Sequence, residues 1–224
     1  MHRPFLILFL TIGSIMLQAQ TKKFLALGDS YTIGEAVDED RRWPVQLAAA
    51  LRQQGLDYAD PKIIATTGWR TDDLKEAIEK ENPAHDYDLV SLLIGVNNQY
   101  QHKPIDIYKK EFEELLRLAI TLAGNEKRNV FVVSIPDYGY TEFGEEKLKE
   151  ISKEIDMYND INRTIAKKLG VKYFNITHIS RDGLKRRELV ASDGLHPSGK
   201  MYAEWVELFL KDREFFKLPK ASKR

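Results

Sequence analysis

The chain has 224 residues, with 34 Lys+Arg balanced by 34 Asp+Glu, five His and no Cys. Zero formal net charge excludes a nucleic-acid binder that works through an excess of positive charge, and 43% hydrophobic with 10% aromatic residues excludes a chain too polar to build a core. The absence of cysteine excludes disulfides, thiolate metal centres and thiol nucleophiles, while the length suits one domain able to bury about 70% of its unfolded surface.

Residues 1–19 read as a secretory signal peptide. Arg3 supplies the charged start, Phe5 to Leu17 is apolar apart from Thr11, Gly13 and Ser14, and Ala19 is the small residue before the cut. The apolar run is shorter than the roughly 20 residues that span a bilayer. Residues 20–224 are then a single exported domain, periplasmic or extracellular, with no cysteine at the cut to carry a lipid anchor.

Phe24 to Leu27 reads as a first strand. Trp43 to Gln54 reads as a helix, with Pro44 in its first turn and Gly55 as its stop. Lys62 to Thr66 is a second strand, and Thr71 to Lys80 a short helix that Thr71 caps. Asp88 to Ile94 is a continuous apolar run, as a central parallel strand buried on both faces requires. Ile105 to Ala123 sets Tyr108, Phe112, Leu115, Leu116, Ala119 and Leu122 on one helical face. Val130 to Ile135 is a fourth strand. Gly144 to Leu169 is a long helix that Gly170 ends, Val171 to Ile176 a fifth strand, and Ser198 to Leu210 the last helix. Strands alternating with helices imply a parallel sheet covered on both faces. In such sheets ligands bind at the carboxyl ends of the strands.

Those ends carry polar chemistry. Strand one runs into Gly28-Asp29-Ser30-Tyr31, strand two into Thr66-Thr67-Gly68-Trp69-Arg70, and strand three into Gly95-Val96-Asn97-Asn98. Strand four runs into Pro136-Asp137-Tyr138-Gly139-Tyr140, and Asp193-Gly194-Leu195-His196-Pro197 precedes the last helix. A serine hydroxyl is a weak nucleophile that needs a base within hydrogen-bond reach. Histidine suits that task near neutrality, and a carboxylate on its other ring nitrogen orients it. Asp193 lies close enough in its loop to reach the His196 ring locally. The oxyanion that forms on acyl transfer needs donors: the Ser30 N–H at a helix start, the Gly68 N–H, which no side chain shields, and the Asn97 amide. Asp29 reads as a turn-holding carboxylate.

With these motifs in this order, the chain resembles the SGNH hydrolases, also called the GDSL esterase/lipase superfamily. Gly28-Asp29-Ser30-Tyr31 matches the first block of that family, Gly68 the glycine of the second, Gly95-Val96-Asn97-Asn98 the third and Asp193-Gly194-Leu195-His196-Pro197 the fifth. The resemblance implies a flavodoxin-like three-layer α/β/α sandwich with a five-stranded parallel sheet. It implies hydrolysis of carboxylic esters without a metal or cofactor, with Ser30 as nucleophile, His196 as base and then acid, and Asp193 orienting it. Ser30, Gly68 and Asn97 would form the oxyanion hole. The family often has Asp after the third-block Asn; Asn98 stands there, which leaves its role open. A Gly-x-Ser-x-Gly elbow is absent, which points away from the α/β-hydrolase fold.

Tyr31, Trp69 and Tyr138, with Tyr100 and Tyr140 nearby, either wall a pocket for an acyl group or a sugar or pack the loops onto the scaffold. The acids and arginines from Glu35 to Arg42 read as a solvated loop with local pairing rather than a metal site. The substrate class is a small-molecule ester: a short acyl ester, an acetylated sugar or a lysophospholipid. The competing class is a catalytically silent carbohydrate-binding module, which the intact Ser30, Asp193 and His196 set disfavours. A phosphate binder is disfavoured by the lack of a Gly-x-x-x-x-Gly-Lys-Ser/Thr loop.

Overall fold

The computed structural model describes residues 20–219, so the signal-peptide reading of residues 1–19 lies outside the described residues. In chain order the elements are β1 (Phe24–Gly28), α1 (Ser30–Ile33), α2 (Trp43–Gln53), β2 (Lys62–Ala65), α3 (Thr71–Glu81), β3 (Leu89–Leu93) and α4 (Val96–Tyr100). They continue with α5 (Ile105–Leu122), β4 (Val130–Val133), α6 (Leu148–Leu169), β5 (Lys172–Phe174), α7 (Thr177–Ser180) and α8 (Gly199–Leu210). No helix among the described residues is long and apolar enough to cross a membrane.

The five strands form one parallel sheet in the order β2-β1-β3-β4-β5, the doubly wound arrangement of flavodoxin-like folds. Every residue of β1, β3 and β4 is buried, because helices cover both faces and leave these strands no solvent side. Helix α2 packs against α8, while α3 packs on α5 and α5 on α6. The expected face of α5 is buried throughout: Tyr108, Phe112, Leu115, Leu116, Ala119 and Leu122. Phe131 of β4 is the hub of an aromatic cluster, with ring centroids 6.2 Å from Trp43, 5.6 Å from Phe209 and 5.6 Å from Phe174.

Several boundaries fall inside the expected ones, and at β4 and β5 this is because a side chain takes over a backbone partner. Strand β4 stops at Val133, not Ile135, because Asn159 of α6 claims both backbone groups of Ile135: its Oδ1 accepts the N–H at 2.8 Å and its Nδ2 donates to the carbonyl at 2.9 Å. Strand β5 stops at Phe174, not Ile176, because the Ile176 N–H donates to Ser134 Oγ at 2.8 Å. Helix α6 starts at Leu148, not Gly144, after a separate 3-10 turn at Glu145–Lys147.

Thr71 is the first residue of α3 rather than its cap. Its N–H, which no helical carbonyl can reach, donates to Asn98 Oδ1 at 3.1 Å, and Asn98 Nδ2 donates to Thr71 Oγ1 at 2.7 Å. Asn98 is buried, and this pair of hydrogen bonds ties α4, which follows β3, to the start of the helix after β2.

Candidate active site

Matched strand ends bring the site together. Gly28 at the end of β1 pairs with both Ala65 of β2 and Leu93 of β3, so the three following loops leave the sheet at one level. In the first loop Asp29 caps α1: its Oδ1 accepts the Tyr31 N–H at 3.0 Å, and its carbonyl accepts from Thr32 and Ile33 at 2.9 Å. Ser30 is therefore the first helical residue, where the N–H has no intrahelical acceptor and the helix dipole is positive.

Asp29 is fully buried, and its Oδ2 has no hydrogen-bond partner. Burial pushes its carboxyl up to about 7, against the opposing pull of the Tyr31 and Gly95 N–H groups. The folded protein thus holds a proton that the unfolded chain releases above the ordinary Asp range, so this group costs stability as pH rises toward 7. Denaturant melts of the wild type and Asp29→Asn at pH 4 and pH 7 check this. The wild type is expected to lose stability relative to the variant by on the order of 4 kcal/mol across that interval, whereas parallel pH curves would show that Asp29 does not titrate there.

The second and third loops turn on glycines. Gly68 has φ +86° with open space where a Cβ would stand, so its requirement is conformational. Gly95 has φ +129°, and a Cβ there would also lie 2.5 Å from Tyr108 Oη, so this turn is closed to side chains on both counts. Helix α4 begins directly after it and carries Asn97. The Asn97 amide donates to the Trp69 carbonyl at 2.9 Å, which links the second and third loops. An amide nitrogen carries two hydrogens, so the bond to Trp69 uses one of them.

The fourth component is the loop before α8. Asp193 Oδ1 accepts the N–H groups of Leu195 and His196, both at 3.0 Å, and Oδ2 lies 2.6 Å from His196 Nδ1. A carboxylate only accepts, so Nδ1 carries the hydrogen, and in the neutral ring Nε2 is the nitrogen with the lone pair. Partial burial pushes the Asp193 carboxyl up, but the His196 ring and the two backbone N–H groups outweigh it and hold it below its ordinary value. His196 is buried, with the Tyr31 ring edge-on to it at 5.8 Å.

These residues share one cavity of about 190 Å³, lined by Ser30, Tyr31, Thr67, Gly68, Val96, Asn97, Tyr100, Tyr138, Phe143, Leu195 and His196. Of the expected site residues, Ser30, Tyr31, Gly68, Asn97, Tyr138 and His196 line it, and Asp193 stands behind the His196 ring. Trp69 does not line it and contributes its carbonyl to Asn97 instead. Phe143 carries no signal in the sequence: it sits in an irregular segment between Tyr138 and α6, where no periodicity marks it.

A larger groove of about 630 Å³ lies beyond the far end of α1, lined by residues that include Glu35, Asp38, Arg41, Arg42, Glu188 and Ser192. It contains neither Ser30 nor His196. Its charges pair locally in part, as Arg42 with Glu39 at 3.7 Å, and the Glu35 carboxylate accepts from the Thr67 hydroxyl.

A sequence model of the GDSL-like Lipase/Acylhydrolase family matches residues 26–204. The chain is 26% identical over 198 residues to an arylesterase of Vibrio mimicus, covering 85% of this chain and 86% of that one. It is similar to the crystal structure of a lipolytic G-D-S-L family protein from Veillonella parvula, with TM-score 0.66 and 16% identity over 86% of this chain and 98% of that chain. It is likewise similar to a lipase/acylhydrolase from Enterococcus faecalis, with TM-score 0.65 and 20% identity over 91% of this chain and 100% of that chain. At such identities the solved structures establish a common fold.

Proposed function

The chain belongs to the GDSL-like lipase/acylhydrolase family, and from that premise we propose that it is an exported serine esterase acting on short-acyl or acetyl esters. The single observation that carries this reading is the 2.6 Å contact from Asp193 to His196 Nδ1, in a loop whose imidazole lines the same cavity as Ser30. In this reading residues 1–19 direct export and residues 20–224 are the hydrolase domain.

The Ser30 Oγ attacks the ester carbonyl carbon while His196 Nε2 takes its proton. The carbonyl π electrons move onto oxygen, and the Ser30 N–H, the Gly68 N–H and the remaining Asn97 N–H stabilise the oxyanion. When the carbonyl re-forms, the bond to the alcohol oxygen breaks and His196 returns the proton to that alcohol. Water then attacks the acyl carbon while His196 takes its proton; the bond from that carbon to Ser30 Oγ breaks, His196 returns the proton to Oγ, and the carboxylic acid leaves. Tyr31 contributes by packing against the His196 ring.

A small cavity walled by Val96, Leu195 and aromatic rings fits the acyl side of a short ester, since burial of methylenes there is favourable. The test is a p-nitrophenyl ester series, acetate through octanoate, on residues 20–224 and the Ser30→Ala twin. Ser30-dependent turnover supports the proposal. If esters, acetylated sugars and lysophospholipids all stay intact with both proteins, the hydrolase reading fails and a silent binding module takes its place.

Asn97→Ala probes the oxyanion assignment. Loss of one donor is expected to lower kcat by roughly 10²–10³-fold with a much smaller change in KM. A variant whose kcat matched the wild type would remove Asn97 from the oxyanion hole.

A further inference from the structure

The cavity at Ser30 does not stand alone. Tyr100, Tyr138 and Phe143 line it on one side, and the same three residues line a second pocket of about 240 Å³ between α4 and α6. Their rings form a triangle, with centroids 6.3 Å apart for Tyr100 and Tyr138, 6.2 Å for Tyr138 and Phe143, and 6.1 Å for Tyr100 and Phe143. We propose that Tyr100 and Phe143 are specificity-determining residues, forming a removable partition that ends the acyl cavity and restricts it to short chains. This rests on the esterase reading of the same site.

The three rings are held differently. Tyr138 is buried, and its hydroxyl donates to Gln99 Oε1 at 3.0 Å, while Gln99 Nε2 donates to Glu154 Oε2 at 2.6 Å. Its loop is fixed from the other side by buried Asp137, whose carboxylate accepts the Gly139 N–H at 3.0 Å and Arg181 Nε at 2.9 Å. Tyr138 is thus part of the scaffold. Tyr100 and Phe143 are 53% and 54% exposed, among the large apolar side chains most open to solvent. They sit on different elements, the last residue of α4 and the segment before α6, and their rings face each other.

Behind the partition, Ile151 is buried, and the exposed Glu146, Lys147 and Glu150 contribute to the outer lining. An extended acyl chain passing the rings would run along the Tyr138 face and Ile151, with the aliphatic stems of the charged residues beside it. Removing one ring joins a cavity of about 190 Å³ to one of about 240 Å³ and more than doubles the space open to the chain. Each further methylene that becomes buried strengthens binding about fourfold.

The test compares the wild type with Tyr100→Ala, Phe143→Ala and, as a surface control away from both pockets, Ile107→Ala, after circular dichroism shows that each is folded. The ratio of kcat/KM for p-nitrophenyl octanoate to that for the acetate is expected to rise at least about tenfold in the first two and to stay level in the control. Folded variants with an unchanged ratio, or a ratio that also rises in Ile107→Ala, would overturn the partition. Binding of octanoate, the product acid that cannot be hydrolysed further, to Ser30→Ala and to Ser30→Ala/Tyr100→Ala reads the same partition without turnover. Tighter binding by the double variant supports it, equal binding refutes it, and either result stands whether or not Ser30 proves to be the nucleophile.

Discussion

Ser30→Ala is expected to lower kcat for every ester substrate by about 10⁶-fold while the protein stays folded. The size of the effect follows from what is lost. Without the hydroxyl there is no acyl-enzyme, and His196 has no serine proton to accept. What remains is the oxyanion cradle and binding, which hold a substrate near water but supply no activated nucleophile. The fold should not suffer, because α1 is capped by Asp29 through the Tyr31 N–H and the Ser30 hydroxyl takes no part in that cap. Pre-steady-state release of p-nitrophenolate, which reports acylation, and far-UV circular dichroism measure the two halves of this prediction. A variant that retained the wild-type rate would remove Ser30 from the chemistry.

Asp193→Asn is expected to lower kcat by about 10⁴-fold with little change in KM. The carboxylate at 2.6 Å from Nδ1 keeps the hydrogen on that nitrogen. An amide is nearly the same shape, and its oxygen can still accept the Leu195 and His196 N–H groups, so the loop persists. Its NH₂, however, turns toward Nδ1 and favours the tautomer with the hydrogen on Nε2. The nitrogen needed as base is then occupied. Only a third of the Asp193 side chain is exposed, so solvent does little to weaken that preference. Steady-state kinetics on a p-nitrophenyl ester reads the loss, and an unchanged kcat would show that orientation of His196 does not depend on this carboxylate.

The parts of the molecule legible in the sequence are those written in short-range patterns. The central strands appeared as unbroken apolar runs, and α5 as a helical stripe, because burial on one or both faces dictates those periods. Asp193 and His196 were readable as a pair because they lie in one loop. Ser30, Gly68 and Asn97 were readable because each follows a strand, and strand ends in a parallel sheet converge. Long-range partners were not. Nothing near Ile135 signals that Asn159 will end its strand, and nothing near Thr71 signals that Asn98 will satisfy its N–H. Helices α1, α4 and α7 span too few residues to show a helical period. The position of Trp69 fits either a pocket wall or a packed loop, and its backbone carbonyl is what meets Asn97. Phe143 joins the cavity only because the chain folds back from Tyr138 before α6.

Those long-range ties also explain how the cavity keeps its shape. Asn97 to Trp69 and Asn98 to Thr71 join the loops after β3 and β2. The opposite wall is braced by the Asp137 and Gln99 bonds around Tyr138. Ser30 and His196 are thus set on elements whose neighbours are fixed by hydrogen bonds, which is the support that the proposed catalysis would require.

The most direct test of the account is covalent labelling with a p-nitrophenyl alkylphosphonate, whose phosphorus is attacked by an activated serine with loss of p-nitrophenolate. Intact mass and fragmentation of the tryptic peptide from Phe24 to Arg41 locate the adduct. A single phosphonyl group is expected on Ser30, forming as ester turnover disappears and absent from Ser30→Ala. Labelling at another residue, or full loss of activity with Ser30 unmodified, would contradict it.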